Sequence, residues 1–169
     1  GETVVQWNGL VNVRESVDGG ELIESYLDGV KSHQDRTSEE FVATLEAFMY
    51  PLEFEPCDGN TSFNNGLYIS AQERTPFNLC YRTEVVGDVE ENSSYNLNFI
   101  YNATATPNPV PRKTVSRDVD TVIFKWRLHT VPEEVLGFKP VSFLQINSAS
   151  LNPFAIVELE EMLYGTTTS

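Results

Sequence analysis

The feature that most constrains this chain is a series of short segments in which apolar and polar residues alternate. Thr121–Thr130 is the cleanest: Val122, Phe124, Trp126 and Leu128 share one side, and Ile123, Lys125, Arg127 and His129 share the other. A period of two is the period of a β-strand with one face on a core and the other on solvent or a partner. Tyr95–Ala103 sets Tyr95, Leu97, Phe99 and Tyr101 against Asn96, Asn98, Ile100 and Asn102. Leu67–Gln72, Phe77–Val86 and Pro140–Asn147 read the same way, and Thr3–Val13 adds an apolar run broken by the turn-forming pair Asn8 and Gly9.

The connections fit an antiparallel sheet. The polar stretch Gly87–Ser94 joins two strand candidates, so Phe77–Ala103 reads as a hairpin. Thr106–Lys113 holds three prolines and cannot be a central strand; it is an arm reaching a neighbour or an ordinary stiffened loop. Ser38–Met49 satisfies two periods at once. Phe41, Val42, Leu45, Phe48 and Met49 make a helical face, while Phe41, Ala43, Leu45 and Ala47 make a strand face. One helix is well marked over about 153–164, with Asn152 as N-cap, Pro153 at the first helical position and Gly165 as the stop. Its stripe of Ala155, Ile156, Leu159, Met162 and Leu163 is expected to pack on a sheet. Together these elements describe one domain over residues 1–169, mainly β: an antiparallel β-sandwich or partly closed barrel with a flanking C-terminal α-helix and a short tail at 166–169.

Charge narrows the function. Twenty-five acids against eleven bases leave a net of −14, and most of the excess lies in residues 1–60. Phosphate contacts need clustered Lys and Arg, so this balance argues against binding naked nucleic acid or an anionic membrane surface. No apolar run is long enough to span a bilayer. Cys57 and Cys80 set no framework and read as small hydrophobes. No zinc spacing, phosphate loop, nucleophile elbow or metalloprotease motif occurs; His33 and His129 are the two histidines, and His129 alternates with Lys125 and Arg127 on a strand face, as a polar-face residue does rather than a base. Acid pairs such as Glu90 with Glu91 and Glu133 with Glu134 lie in turn-like segments and read as solvated charge. The expectation is a non-enzymatic protein without catalytic residues, cofactor or metal. Three glycosylation sequons, at Asn60, Asn92 and Asn102, carry little weight in a chain rich in Asn and Ser.

Several segments, taken in order, resemble a known family: WNGL (Trp7–Leu10), EEFVATLEAFMYPLEF (Glu39–Phe54), CDG (Cys57–Gly59), FNLCYRT (Phe77–Thr83), VIFKWRLHTVP (Val122–Pro132), Lys139 with Pro140, and LEEMLYG (Leu159–Gly165). The series is similar to the major tail proteins, or tail tube proteins, of siphophages, bacteriophages with long non-contractile tails. It spans nearly the whole chain, and the stretch through CDG, followed by the CYRT strand, is its most specific part.

That resemblance implies a virion structural protein that self-assembles into hexameric rings, stacked into a hollow tail tube that conducts DNA during genome ejection. It implies assembly in the host bacterial cytoplasm, with the tape measure protein and the tail terminator and distal tail proteins as partners. DNA would pass through the lumen without specific binding. It also implies a strand at Glu40–Phe48 and a short helix near Leu52–Cys57. An acidic lumen would repel phosphates and keep the polymer sliding. A ring of such subunits must then offset self-repulsion, and Arg112, Lys113 and Arg117 are candidate interface residues meeting acids of the 1–60 region on a neighbour. The competing readings are another virion or surface β-sandwich, such as a capsid decoration or a carbohydrate-binding module, and a small hydrolase with an unrecognised site.

Overall fold

The computed structural model describes residues 4–18, 22–27, 30–36, 40–85, 94–109 and 122–164. Ten strands are described: β1 Leu10–Asp18, β2 Leu22–Leu27, β3 Val30–Arg36, β4 Glu40–Ala47, β5 Thr61–Asn64, β6 Leu67–Ile69, β7 Phe77–Val85, β8 Ser94–Pro107, β9 Phe124–Thr130 and β10 Phe143–Asn147. A 3-10 turn at Leu52–Phe54 runs into the short helix α1, Glu55–Asp58, and α2 spans Pro153–Tyr164. The chain is mainly β and every strand pairing is antiparallel. One six-stranded sheet carries the order β1-β4-β9-β8-β10, with β7 also paired to β8, and it curves into a half-barrel. The hairpins β2–β3 and β5–β6 stand outside it.

The long strand β8 bends the sheet. Its first half holds β10 on one edge and β7 on the other, and its second half pairs with β9. The change of direction falls at Asn102, whose φ of 47° lies in the left-handed region. There the Asn102 amide donates to Asn78 Oδ1 at 2.9 Å, while its carbonyl accepts from the Val131 amide at 3.2 Å. Alternation over Tyr95–Ala103 does not sort inside from outside because both faces of β8 are covered before the bend: Leu97, Asn98, Phe99 and Ile100 are buried in succession, and Ile100 faces the main core while Leu97 and Phe99 lie on the opposite side. Asn98 is tolerated inside because Thr83 Oγ1 accepts from it at 2.9 Å and Gln145 Nε2 donates to it at 2.8 Å.

Along β9 the alternation holds, with Trp126, Leu128 and Thr130 buried and Lys125, Arg127 and His129 exposed. The concave face gathers Ala43, Leu45, Ala47, Leu79, Tyr81, Ile100, Ala103, Ala105, Trp126 and Leu128, closed at one end by Phe54 and Cys57. The doubly periodic stretch 38–49 is a strand, because Ala43, Leu45 and Ala47 face that core. Val4–Trp7 is not a strand. The turn at Asn8 and Gly9 instead swings Trp7 onto Phe54 at 4.6 Å, where its indole donates to the Met49 carbonyl at 2.8 Å. Asn152 caps α2, accepting from the Phe154 amide at 3.1 Å. The expected α2 stripe is only partly covered: Ile156, Leu159 and Leu163 are half-buried, while Met162 is 75% exposed. No disulfide joins Cys57 and Cys80.

Candidate assembly surfaces

The 3-10 turn and α1 form a corner joined by side-chain hydrogen bonds to its own residues and to the sheet. Pro56 starts the helix and Gly59 ends it at φ 82°, where a Cβ would come within 3.1 Å of the Gln72 carbonyl. Asp58 Oδ1 accepts from the buried Trp126 indole at 2.6 Å, and Asn60 Nδ2 donates to Glu55 at 2.7 Å and to Asp58 at 3.2 Å. Tyr50 donates to Glu55 at 3.3 Å. Burial pushes the Asp58 carboxyl above its ordinary pKa, opposed by the hydrogen bond from Trp126. Beside this corner lies a cavity of about 370 Å³, lined by Tyr50, Asp58, Arg74, Phe124, Lys125 and Trp126 among others. Lys125 is already paired with Glu46 at 2.8 Å, and that pair holds the Glu46 carboxyl below its usual range. The corner pins the base of the β5–β6 hairpin through the Gln72 amide bonded to Gly59 O at 2.9 Å and the Thr75 amide bonded to Pro56 O at 3.1 Å.

Beyond that base, every residue of β5 and β6 is exposed, including Phe63, Leu67, Tyr68 and Ile69. A second protrusion lies at the other end of β9. Residues 131–142 leave the sheet and return to it, held by mutual backbone bonds of 2.9 Å between Glu133 and Val141. Leu136 at its tip is fully exposed and Phe138 is 78% exposed. The half-barrel also has a seam. Strand β1 pairs with β4 and β7 with β8, but no ladder joins β1 to β7 among the described residues. Leu10, Val11, Asn12 and Val13 face Tyr81, Arg82 and Thr83 across a cleft of about 260 Å³. The Tyr81 hydroxyl donates to Glu15 across it, and burial together with that carboxylate raises the Tyr81 pKa.

Arg112, Lys113 and Arg117 lie outside the described residues. His129 sits on the exposed face of β9, 3.6 Å from Glu40. Among the described residues, no group of His, Cys, Asp and Glu is placed to hold a metal ion, and no helix is long and apolar enough to cross a membrane. The hairpin was open to detection by its turn signal, Asn65 followed by Gly66. The link from that corner to the sheet was not, because the bond from Trp126 to Asp58 joins residues 68 positions apart. No protein-family model matches the chain, and no curated protein matches it.

Proposed function

We propose that this chain is a structural subunit that assembles into stacked hexameric rings, forming the hollow tail tube of a siphophage through which DNA leaves the virion. The observation that carries the proposal is a half-barrel whose edges at β1 and β7 are unpaired among the described residues, with two exposed apolar protrusions, in a chain of net charge −14. Open edges and uncovered apolar hairpins are liabilities in a monomer and assets in a polymer. The acidic balance suits a conduit that must not hold DNA. The motif series from Trp7 to Gly165 supplies the siphophage reading. The carbohydrate-binding alternative loses Trp126 as a platform residue, since it is 1% exposed and belongs to the core.

Sedimentation velocity across a salt series tests the reading. Screening weakens repulsion between acidic subunits, so the polymer fraction is expected to rise from low to moderate salt. A single monomeric species at every salt and protein concentration would overturn it. The same assay tests Arg112, Lys113 and Arg117: reversing all three charges is expected to suppress assembly at low salt, and unaltered assembly would remove them from the interface.

A further inference from the structure

The cavity beside the α1 corner is lined by three charged residues, and the fold leaves one of them unmatched. Lys125 is held by Glu46 at 2.8 Å. Asp58 accepts from Trp126 and Asn60. Arg74 has neither an ion-pair partner nor a side-chain hydrogen bond among the described residues. Its Nε is buried without an acceptor, and its Nη nitrogens, equally without protein partners, stay open. A buried donor left unsatisfied is uncommon in a folded protein and calls for an explanation.

The chain makes a place for this side chain. A Cβ at position 59 would come within 3.3 Å of Arg74 Cγ and 3.5 Å of its Nε, so the glycine that ends α1 also leaves room for the guanidinium. One wall of the cavity is the hairpin base. There Ala71 takes a left-handed φ of 61°, which a residue other than glycine seldom adopts, and the next amide, Gln72, is bonded to Gly59 O. Another wall is aromatic: Tyr50 and Phe124 meet edge to face at 5.2 Å, and both are half-buried. The volume of about 370 Å³ lies within the ~300–1,000 Å³ of small-molecule sites.

These features select the occupant. The two Nη–H groups of an unpartnered guanidinium match the two oxygens of a carboxylate, and the aromatic wall suits an apolar body attached to it. A cation is disfavoured, because Arg74 and Lys125 repel it and the Asp58 carboxylate already accepts from two N–H donors. We propose that this cavity binds a small arylalkyl monocarboxylate, with Arg74 recognising the carboxylate and Tyr50 and Phe124 receiving the apolar body. A free organic acid and the C-terminal phenylalanine of a peptide present the same chemistry. The inference does not rest on the tube reading and would survive its failure.

The test is isothermal titration calorimetry of the purified chain at fixed salt with phenylpropionate, phenylpropanol and phenylpropylamine, three probes with one body and different heads. The carboxylate is expected to bind at least tenfold more tightly than the alcohol or the ammonium. R74Q is expected to erase that difference while leaving the alcohol within twofold of its wild-type affinity, and R74K to recover part of it, with circular dichroism as the folding control. Equal affinities for acid and alcohol, tightest binding of the ammonium, or no binding of the acid at about 10 mM would each overturn the proposal. These comparisons use the wild type, so they decide even if R74Q unfolds. A peptide ending in phenylalanine that displaces phenylpropionate, while its C-terminal amide does not, assigns the site to a chain end. A peptide that fails to displace it assigns the site to a free acid, and the carboxylate site stands in either case.

Discussion

Replacing Trp126 with Phe probes the link between the sheet and the α1 corner. The indole lies among Trp7, Tyr50, Phe54 and Phe124, with ring centroids 5.2–5.9 Å away. Its N–H is the donor to Asp58 at 2.6 Å. Phe keeps the aromatic contacts and removes that donor. A hydrogen bond to a charged group contributes ~1.5–3 kcal/mol, and the half-buried position of Asp58 favours the lower figure. The lost ring area, roughly 40 Å², adds about 1 kcal/mol at ~25 cal/mol/Å². The expected cost is therefore ~2.5 kcal/mol, a fall in Tm of about 5–10 °C for a chain of this size. The assay is urea unfolding of the dispersed subunit followed by circular dichroism. A double-mutant cycle with Asp58→Ala, which removes the acceptor, should give a coupling of ~1 kcal/mol or more. A cost below ~1 kcal/mol, or no coupling to Asp58, would refute the claim that this bond holds the corner to the sheet.

Three further outcomes follow from the same geometry. Gly59→Ala should cost ~2 kcal/mol in thermal unfolding, since it combines a left-handed backbone with a close approach to the Gln72 carbonyl; Gly66→Ala, with equal φ strain and open space, should cost about half as much. Asn98→Ala should cost ~2–3 kcal/mol, because Thr83 and Gln145 lose a buried partner, and a near-neutral result would remove Asn98 as a core determinant. Tyr81 has its folded pKa raised by burial and then by Glu15, so its stabilisation is complete below about pH 10 and lost as pH rises further. Denaturation midpoints taken from about pH 9 to 11 should therefore fall more steeply for the wild type than for Tyr81→Phe, and equal slopes would contradict the bridge across the seam.

What the sequence disclosed follows from where single-residue patterns suffice. β9 was legible because only one of its faces is buried, and α2 because Asn152 and Pro153 are local signals. The segment 40–47 needed the family resemblance to settle its period, and Ala43, Leu45 and Ala47 show why the strand period wins. β8 obscured its inner face because both of its faces are covered over Leu97–Ile100, so consecutive residues are buried. The strands β2 and β3 were missed because Glu24, Lys31, His33 and Asp35 give them no apolar alternation. The α2 stripe suggested more packing than exists, since amphipathicity shows that a face is apolar but not whether the same chain covers it. The corner joining Trp126 to Asp58, and the separation of the two protrusions along β9, are products of tertiary geometry. Neither has a local signature.

The central claim is self-assembly into a hollow tube, and negative-stain electron microscopy of the purified chain tests it most directly. Over a range of salt and concentration, and with tape measure protein supplied, the account predicts stacked rings of six subunits around an open lumen. Dispersed monomeric particles under every one of these conditions would contradict it.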